Sequence, residues 1–329
     1  MLITIIIPTA LFGGLALIFG CILGYASKLF YVETDSKVDE IIEVLPGANC
    51  GACGFPGCAG YAEAIVQKDI DINLCPPGGT EVMHKLATIM GKTAIEKEKI
   101  VAVMHCSSGG FLNTNFKYKY HGINNCKAAT LLSGGPNSCN YGCVFQDDCI
   151  KACQFNAISI DKAGIKTIDK DKCIGCGACV KACPRFLIEL VPISKTVYVQ
   201  CASKDKGIIS KQNCGNKTPC IGCGICVKNC HFNALTLTNN LVKIDYTLCV
   251  NCGACSLKCP TKVMIDTKKR GKAFIDFKEC IGCTICAKKC FIGCISGELK
   301  RMHIVDQEKC IGCEICVEKC PKKAILINY

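Results

Sequence analysis

Residues Leu2 to Ala26 form one unbroken apolar run without a charged side chain. At about 1.5 Å per residue, a helix over this run spans a bilayer with some tilt. The pattern predicts a transmembrane helix over 1–27. No basic n-region precedes the run and no small-x-small cleavage site closes it, so it reads as an uncleaved anchor rather than a signal peptide. Lys28 is the first positive charge after the run, which places the C-terminal side in the cytoplasm. Gly20 and Gly24 stand at GxxxG spacing, and Gly13 and Gly14 add small residues, so the helix suits close packing against other membrane subunits. Pro8 near the start is tolerated in such a helix. From Ser36 to Leu45 the pattern becomes amphipathic. Val38, Ile41, Ile42 and Leu45 share a face, Ser36 can cap the helix, and Pro46-Gly47 stops it.

Composition changes the picture for the rest of the chain. It has 329 residues, 34 of them Cys, with 7% aromatics and no Trp. So few large apolar side chains leave a soluble part that apolar burial alone does not hold together. Cysteine at this density signals either disulfides or metal, and spacing decides between them. The formal charge of +12 would suggest nucleic acid. Thiolate ligands reverse that inference, since each oxidised four-iron cluster with four thiolates carries roughly −2, and seven bring the chain to roughly −2. No nucleic-acid partner is expected.

The first cysteine group is Cys50, Cys53 and Cys58 within Asn49-Cys50-Gly51-Ala52-Cys53-Gly54-Phe55-Pro56-Gly57-Cys58, with Cys75 coming later in Cys75-Pro76-Pro77-Gly78-Gly79. Three ligands close together and a fourth downstream fit one 4Fe–4S cubane better than the paired CxxC of zinc sites. The glycines permit the tight turn that aims backbone N–H groups at cluster sulfurs.

An internal repeat dominates the remainder. Cys173, Cys176, Cys179 and Cys183, followed by Pro184, keep the C-x2-C-x2-C-x3-C-P spacing of bacterial ferredoxins. The spacing recurs at Cys220, Cys223, Cys226 and Cys230; at Cys249, Cys252, Cys255 and Cys259; at Cys280, Cys283, Cys286 and Cys290; and at Cys310, Cys313, Cys316 and Cys320. A sixth, stretched copy is Cys139, Cys143, Cys149 and Cys153, whose tail Gln154-Phe155-Asn156-Ala157-Ile158 matches His231-Phe232-Asn233-Ala234-Leu235. In two-cluster ferredoxins the fourth Cys of each motif ligates the other cluster. The longer linker near 196–219 and the end at Tyr329 favour pairing the motifs that start at residues 139 and 173, 220 and 249, and 280 and 310. The expected sets are Cys139, Cys143, Cys149 with Cys183; Cys173, Cys176, Cys179 with Cys153; Cys220, Cys223, Cys226 with Cys259; Cys249, Cys252, Cys255 with Cys230; Cys280, Cys283, Cys286 with Cys320; and Cys310, Cys313, Cys316 with Cys290.

The expected fold class is α+β: a single N-terminal transmembrane helix, a small 4Fe–4S domain, then tandem bacterial two-cluster ferredoxin-like (βαββαβ) modules. The boundaries are 1–27 for the membrane helix, 28–100 for the four-cysteine domain and 101–138 for a connecting segment. Module 1 spans 139–195, a linker 196–219, module 2 220–270 and module 3 271–329. Seven 4Fe–4S clusters use 28 of the 34 cysteines. Cys21 reads as a small apolar residue in the membrane helix, and Cys294 stands where other copies carry Ala157, Ala234 and Ala324. Cys106, Cys126, Cys201 and Cys214 flank the first module and form a candidate eighth set, the first of them in the glycine-rich Cys106-Ser107-Ser108-Gly109-Gly110.

No GxGxxG follows a strand, and Gly91-Lys92-Thr93 is no P-loop, because Leu86 stands where Gly is required. The five His are scattered, with no catalytic constellation. No independent catalytic site is expected, and the clusters alone react.

Membrane helix, NCGACGxPGC domain with a CPPGG fourth ligand, then ferredoxin modules: this order resembles the B-subunit family of Rnf complexes, membrane ferredoxin:NAD oxidoreductases that pump Na+ or H+. The Ile22-Leu23-Gly24-Tyr25-Ala26-Ser27 stretch is similar too. Shorter members have one two-cluster module where this chain has three. The resemblance implies an electron-transfer subunit in the cell inner (cytoplasmic) membrane, with cluster domains on the cytoplasmic side. It implies soluble ferredoxin as donor, and other membrane and flavoprotein subunits as partners. The alternative is a tethered polyferredoxin serving a hydrogenase or other dehydrogenase without ion pumping. From Pro260 onward bases exceed acids, and Lys268, Lys269, Arg270 and Lys272 suggest a docking patch for an acidic ferredoxin.

Overall fold

The computed structural model describes residues 2–30, 35–108, 110, 113–162 and 164–329, with first-helix side chains from residue 11 onward. The chain forms two compact units, Met1–Asn73 with Thr80–Ala94, and Leu74–Gly79 with Ile95–Tyr329.

In the first unit, α1 (Leu2–Leu29) is 28 residues long. Its Phe12, Leu17, Phe19 and Leu23 are exposed, and Leu11–Leu29 is long and apolar enough to cross a membrane. A face of that size needs lipid or partner helices over it. No atom lies within 4 Å of the Cβ positions of Gly13, Gly14, Gly20 and Gly24, so the small-residue face stays open. α2 (Ser36–Val44) is capped by Asp35, whose carboxylate accepts from Lys37 N at 3.0 Å. Ser36 is therefore helical rather than the expected cap. Val38, Ile41 and Leu45 are buried, and α2 packs on α3 (Gly57–Lys68). On α3, Tyr61 stacks near Phe55 at 5.6 Å and donates to the Asp71 carbonyl at 2.9 Å. α4 (Gly79–Met90) buries Met83, Leu86 and Ala87. Leu86 is fully buried, which suits its being Leu rather than a phosphate-loop Gly. Lys92 pairs with Asp69 at 2.6 Å and donates to the Ile70 carbonyl at 3.2 Å.

The second unit repeats one strand order three times. The first copy runs β1 (Ile100–Met104), α5 (Cys126–Leu131), α6 (Asp148–Lys151), β2 (Ile158–Ile160), β3 (Lys166–Ile168), α7 (Ala178–Ala182) and β4 (Ile188–Pro192). The second runs β5 (Val197–Val199), α8 (Gly207–Asn213), α9 (Ile225–Lys228), β6 (Leu235–Thr238), β7 (Leu241–Ile244), α10 (Ala254–Leu257) and β8 (Met264–Asp266). The third runs β9 (Lys272–Ile275), α11 (Ile285–Lys289), β10 (Ile295–Ser296), β11 (Ile304–Val305), α12 (Ile315–Glu318) and β12 (Ile325–Asn328). In every copy the outer strands pair antiparallel, with Ala102 opposite Leu190, Tyr198 opposite Ile265, and Ala273 opposite Ile327. The middle strands form a second antiparallel pair: β2 with β3, β6 with β7, β10 with β11.

Two expected boundaries shift. The segment 101–138 is more than a connection, because β1 closes the first copy against β4. The linker 196–219 likewise opens with β5, the first strand of the second copy. Residues 105–147 and 200–219 are insertions between a first strand and its helix. The cores combine short aliphatic strands with sulfur: Val101, Ile158, Leu187 and Val191 pack with Cys149, Cys173 and Cys179 in the first copy. Val197, Val242 and Met264 pack with Cys220, Cys226 and Cys255 in the second. Ala273, Ile295 and Ile325 pack with Cys286, Cys310 and Cys316 in the third.

The second and third copies meet at Arg270. Its Nε donates to Asp266 Oδ2 at 2.6 Å, and its terminal nitrogens donate to the Gly312 carbonyl at 3.0 Å and the Asn251 carbonyl at 2.6 Å. Gly253 lies so close to the guanidinium that a Cβ there would meet Arg270 Nε at 2.5 Å. Both members of the Arg270–Asp266 pair are largely buried, at 13% and 10% exposure. Removing the arginine strands a buried carboxylate. Arg270→Ala is therefore expected to destabilise the second unit by about 3 kcal/mol in urea unfolding followed by circular dichroism. Lys268→Ala removes a half-open pair with Glu314 and should cost about 1 kcal/mol or less. Equal losses from the two variants would refute the junction role of Arg270.

Candidate metal centres

The cysteine loops are shaped by backbone geometry that few side chains allow. Gly175, Gly177, Gly222, Gly224, Gly253, Gly282 and Gly312 all have φ between +64° and +76°. At the helix starts of the third copy, Thr284 and Glu314 take the same left-handed conformation without being glycine. This curl lets three closely spaced sulfurs face one point while the next short helix carries the third of them.

Five cavities, each with about 350–370 Å³ of open space, are lined by cysteine quartets drawn from two motifs. Cys173, Cys176 and Cys179 meet Cys153. Cys220, Cys223 and Cys226 meet Cys259, and Cys249, Cys252 and Cys255 meet Cys230. Cys280, Cys283 and Cys286 meet Cys320, and Cys310, Cys313 and Cys316 meet Cys290. Among the described residues, no three His, Cys, Asp or Glu side chains lie close enough to share one metal ion. A cubane asks for something else, since each thiolate takes its own iron at a separate corner. The donor set of four thiols around an apolar cavity fits that group.

Backbone amides are aimed at these sulfurs. Ala157 N donates to Cys153 Sγ at 3.4 Å, Leu187 N to Cys183 Sγ at 3.5 Å, and Cys294 N to Cys290 Sγ at 3.4 Å. Each is the amide four residues after the last cysteine of a motif. Ala102 N on β1 donates to Cys173 Sγ at 3.3 Å. Such bonds stabilise negative sulfur. Burial works the other way on the bare thiols. It pushes Cys179, Cys255 and Cys316 up to about 12, and the neighbouring thiols of the same cavity add to the shift. A quartet without a positive centre is therefore held neutral, and iron binding must release its protons.

Cys294 is a fifth cysteine at the last of these cavities, with its Sγ 3.4 Å from Cys290 Sγ. Its counterparts in the other motifs are alanines, and it is buried like them.

In the first copy, the stretched motif behaves differently from the expected set. Cys126, Cys149 and Cys183 lie near one another, so the sulfur beside Cys149 and Cys183 is Cys126 rather than Cys139, and Cys143 lies between Cys106 and Cys149. Cys139 turns toward Cys106, and both sulfurs flank Gly142. The reason is register. Cys143-x2-Gln146-x2-Cys149-x3-Cys153 keeps the ordinary spacing with Gln146 in the second position, so Cys139 precedes the motif. The pairing signal was present in the sequence at Gln146. Cys201 and Cys214 are buried and Cys106 half-buried; Gly109 of that glycine-rich loop lies outside the described residues.

Cys50 and Cys53 lie on a first-unit loop and Cys58 in the first turn of α3, and Gly51, Gly54 and Gly57 between them all have positive φ. Asn49 Oδ1 accepts from Cys58 N at 2.8 Å, and a Cβ on Gly57 would crowd that oxygen at 2.9 Å. Cys75 lies in Leu74–Gly79, which clusters with the second unit. Cys21 is exposed on α1.

The suggested docking patch is largely engaged inside the molecule. Arg270 holds the junction described above, Lys268 pairs with Glu314, Lys272 donates to the Cys310 carbonyl, and Lys269 lies over the Tyr329 ring. These cations tie the third copy to its neighbour and to its own cysteine loop, which is why they cluster in sequence.

Family models for Fe–S proteins match along the chain: an Fe–S cluster model at residues 45–77, a 4Fe-4S binding domain at 166–189, and 4Fe-4S dicluster domains at 219–263 and 273–327. The B subunit of the Na(+)-translocating ferredoxin:NAD(+) oxidoreductase complex of Acetobacterium woodii is 42% identical, covering 83% of this chain and 81% of that one. The chain belongs to this B-subunit family. The B subunit of the ion-translocating oxidoreductase complex of Methanosarcina acetivorans is 39% identical over 78% of this chain and 96% of its own length. The proton-translocating counterpart of Clostridium ljungdahlii is 41% identical over 75% and 87%. The chain is thus an electron-transfer subunit of a membrane-associated oxidoreductase complex, with several 4Fe–4S domains and one apolar helix. Removing the Cys294 thiol tests the difference between lining a cavity and ligating in it. Cys294→Ala should leave the iron content of the anaerobic protein unchanged, whereas a loss of about four irons per chain would make Cys294 a ligand.

Proposed function

We propose that this chain relays single electrons from reduced soluble ferredoxin through seven 4Fe–4S clusters to the membrane subunits of its complex, coupled overall to NAD reduction and Na+ or H+ transport. The observation that carries the reading is the set of five cavities, each lined by three cysteines of one motif and the fourth of its partner. That crossing is the ligand pattern of two-cluster ferredoxins, and it supports three tandem βαββαβ modules of that type. A sixth cluster belongs to the first module on Cys143, Cys149, Cys183 and a fourth thiol. The seventh would be held by Cys50, Cys53, Cys58 and Cys75, the segment that the Fe–S cluster model matches.

The relay has neighbouring thiols within the first and second modules and across the second–third junction. Cys149 of one first-module site interacts with Cys179 of the other, and Cys226 with Cys255 in the second module. Cys252 of the second module interacts with Cys313 of the third, with the Arg270 guanidinium beside Cys252. Each step moves one electron between neighbouring clusters, with no bond made or broken. The apolar helix crosses the membrane once, leaving the cluster domains on the cytoplasmic side, and its open glycine face meets partner helices. The names of the relatives support ferredoxin as donor and NAD as final acceptor.

The test uses membrane vesicles from a strain lacking the chain. They should lose ferredoxin-dependent NAD reduction together with ion uptake, and the full chain should restore both. A Cys252→Ala/Cys255→Ala chain that still assembles should restore less than about a tenth of the activity. Vesicles that keep both activities without the chain would overturn the reading in favour of a relay to another dehydrogenase.

A further inference from the structure

Eight cysteines gather around the first module's stretched motif, twice the number one cluster needs, and their placement sorts them. Cys126 opens α5, where its amide donates to Asp148 Oδ2 at 2.8 Å. Lys151 Nζ donates to the Asn124 carbonyl at 3.1 Å and the Gln146 carbonyl at 3.2 Å, which holds the start of α5 beside the second position of the stretched motif. Cys126 thus brings a thiol to the place where the motif lacks one, and it interacts with Cys183 while Cys149 interacts with both.

The other four come from three loops that are stitched together. Cys106 Sγ accepts from Cys143 N at 3.4 Å, and a Cβ on Gly142 would lie 3.5 Å from Cys139 Sγ and 3.7 Å from Cys106 Sγ. Ser107 Oγ donates to the Gln200 carbonyl at 3.4 Å, beside Cys201. Asn216 donates to the Ser107 carbonyl, and its Oδ1 lies 2.9 Å from Cys214 Sγ. A Cβ on Gly215 would run into the Ser108 and Asn113 carbonyls, so glycine lets the Cys214 loop close on the Cys106 loop. Ser203 N donates to Cys201 Sγ at 3.4 Å, the same amide-to-sulfur bond made in the ferredoxin-type cavities. Burial pushes Cys201 up to about 12 and Cys214 up to about 11, with the Cys106 thiol adding to both.

We propose that Cys126, Cys143, Cys149 and Cys183 hold the second cluster of the first module, and that Cys106, Cys139, Cys201 and Cys214 hold an eighth four-iron cluster between the first and second modules. The proposal rests on the relay reading above and supplies its missing link. Cys106 touches the Cys143 backbone on one side. On the other, Cys201 packs in the same buried cluster as Cys220 of the second module, and Ser210 Oγ donates to the Cys220 carbonyl at 2.8 Å and lies 3.5 Å from Ser203 Oγ. Arg185 stands between the two proposed clusters. It donates to the Gly142 carbonyl at 2.8 Å and interacts with Cys139, Cys143, Cys106 and Cys183. A guanidinium there offsets the charge of two neighbouring anionic clusters. The eighth cluster takes one electron from a neighbouring four-iron cluster and passes one on, with no proton or bond exchanged.

The test is iron and acid-labile sulfide per full chain in the complex purified without oxygen. About 32 irons is the expected result, about 28 overturns the eighth cluster while leaving the seven-cluster relay, and fewer than about 28 breaks the relay reading itself. Two double variants test the sorting. Cys139→Ala/Cys214→Ala strikes one proposed cluster and should lose about four irons, whereas Cys126→Ala/Cys214→Ala strikes two and should lose about eight. The reverse order would overturn the sorting. Should a double variant fail to fold, Cys214→Ala alone decides. The expected result is a three-iron EPR signal on oxidation with the other clusters unchanged, and a spectrum identical to wild type overturns the site.

Discussion

Burying four thiols around one cavity, three from one motif and one from another, is the constraint on which the second unit depends. No module half can complete a cavity alone, because its fourth sulfur lies in the other half. This explains how strands of two to five residues suffice. The aliphatic cores are small, and the cysteines themselves are members of them. A fold built this way draws its cohesion from ligation across the pseudo-symmetric halves rather than from large apolar side chains. The bare thiols are held neutral by burial, so the cavity is stable without metal only in its uncharged form.

The same constraint governs the positive charge. A chain of +12 looks basic, yet its buried cations sit beside sulfur. Burial alone would drive the Lys166 ammonium toward neutrality, but the Cys143 thiol 3.5 Å away and Asp147 at 2.7 Å outweigh it and hold the pKa above its ordinary value. Arg185 and Arg270 occupy equivalent situations beside the thiols of neighbouring cysteine loops. Arginine suits both, since its fork satisfies several carbonyls of the cysteine loops while its charge faces the sulfurs. The lysine-rich stretch 268–272 is therefore explained by architecture before any partner is considered.

The spacing of ligands was legible in the sequence because the αL curl and the short helix after it fix C-x2-C-x2-C-x3-C locally. The first three cysteines of each intact motif line a cavity together with the last cysteine of another motif. Features outside local spacing were harder to read. β1 and β5 are separated from their helices by insertions, so Val101 and Val197 looked like linker although each closes a sheet with a strand far along the chain. Cys126 was read apart from the stretched motif for a related reason. Counting along the chain favours the nearer cysteine, while Lys151 holds the start of α5 beside Gln146. Asp35 displaced Ser36 as a cap because one residue of register decides which side chain is still outside the helix.

The insertions themselves make sense in terms of the relay. Tandem two-cluster modules bring clusters together within a module through the crossed ligands, but nothing in that arrangement joins one module to the next. Between the second and third modules the connection is short and Arg270 ties the two cysteine loops together through the Asn251 and Gly312 carbonyls. Between the first and second modules the nearest loops belong to different motifs and carry two extra segments. Those segments bring Cys106, Cys201 and Cys214, and Cys201 packs in one buried cluster with Cys220. Sequence length that would be costly as bare loop becomes ordered when it surrounds a charged centre. On the proposal of an eighth cluster, the insertions carry that cluster, and the continuity of the electron path sets where they enter the fold.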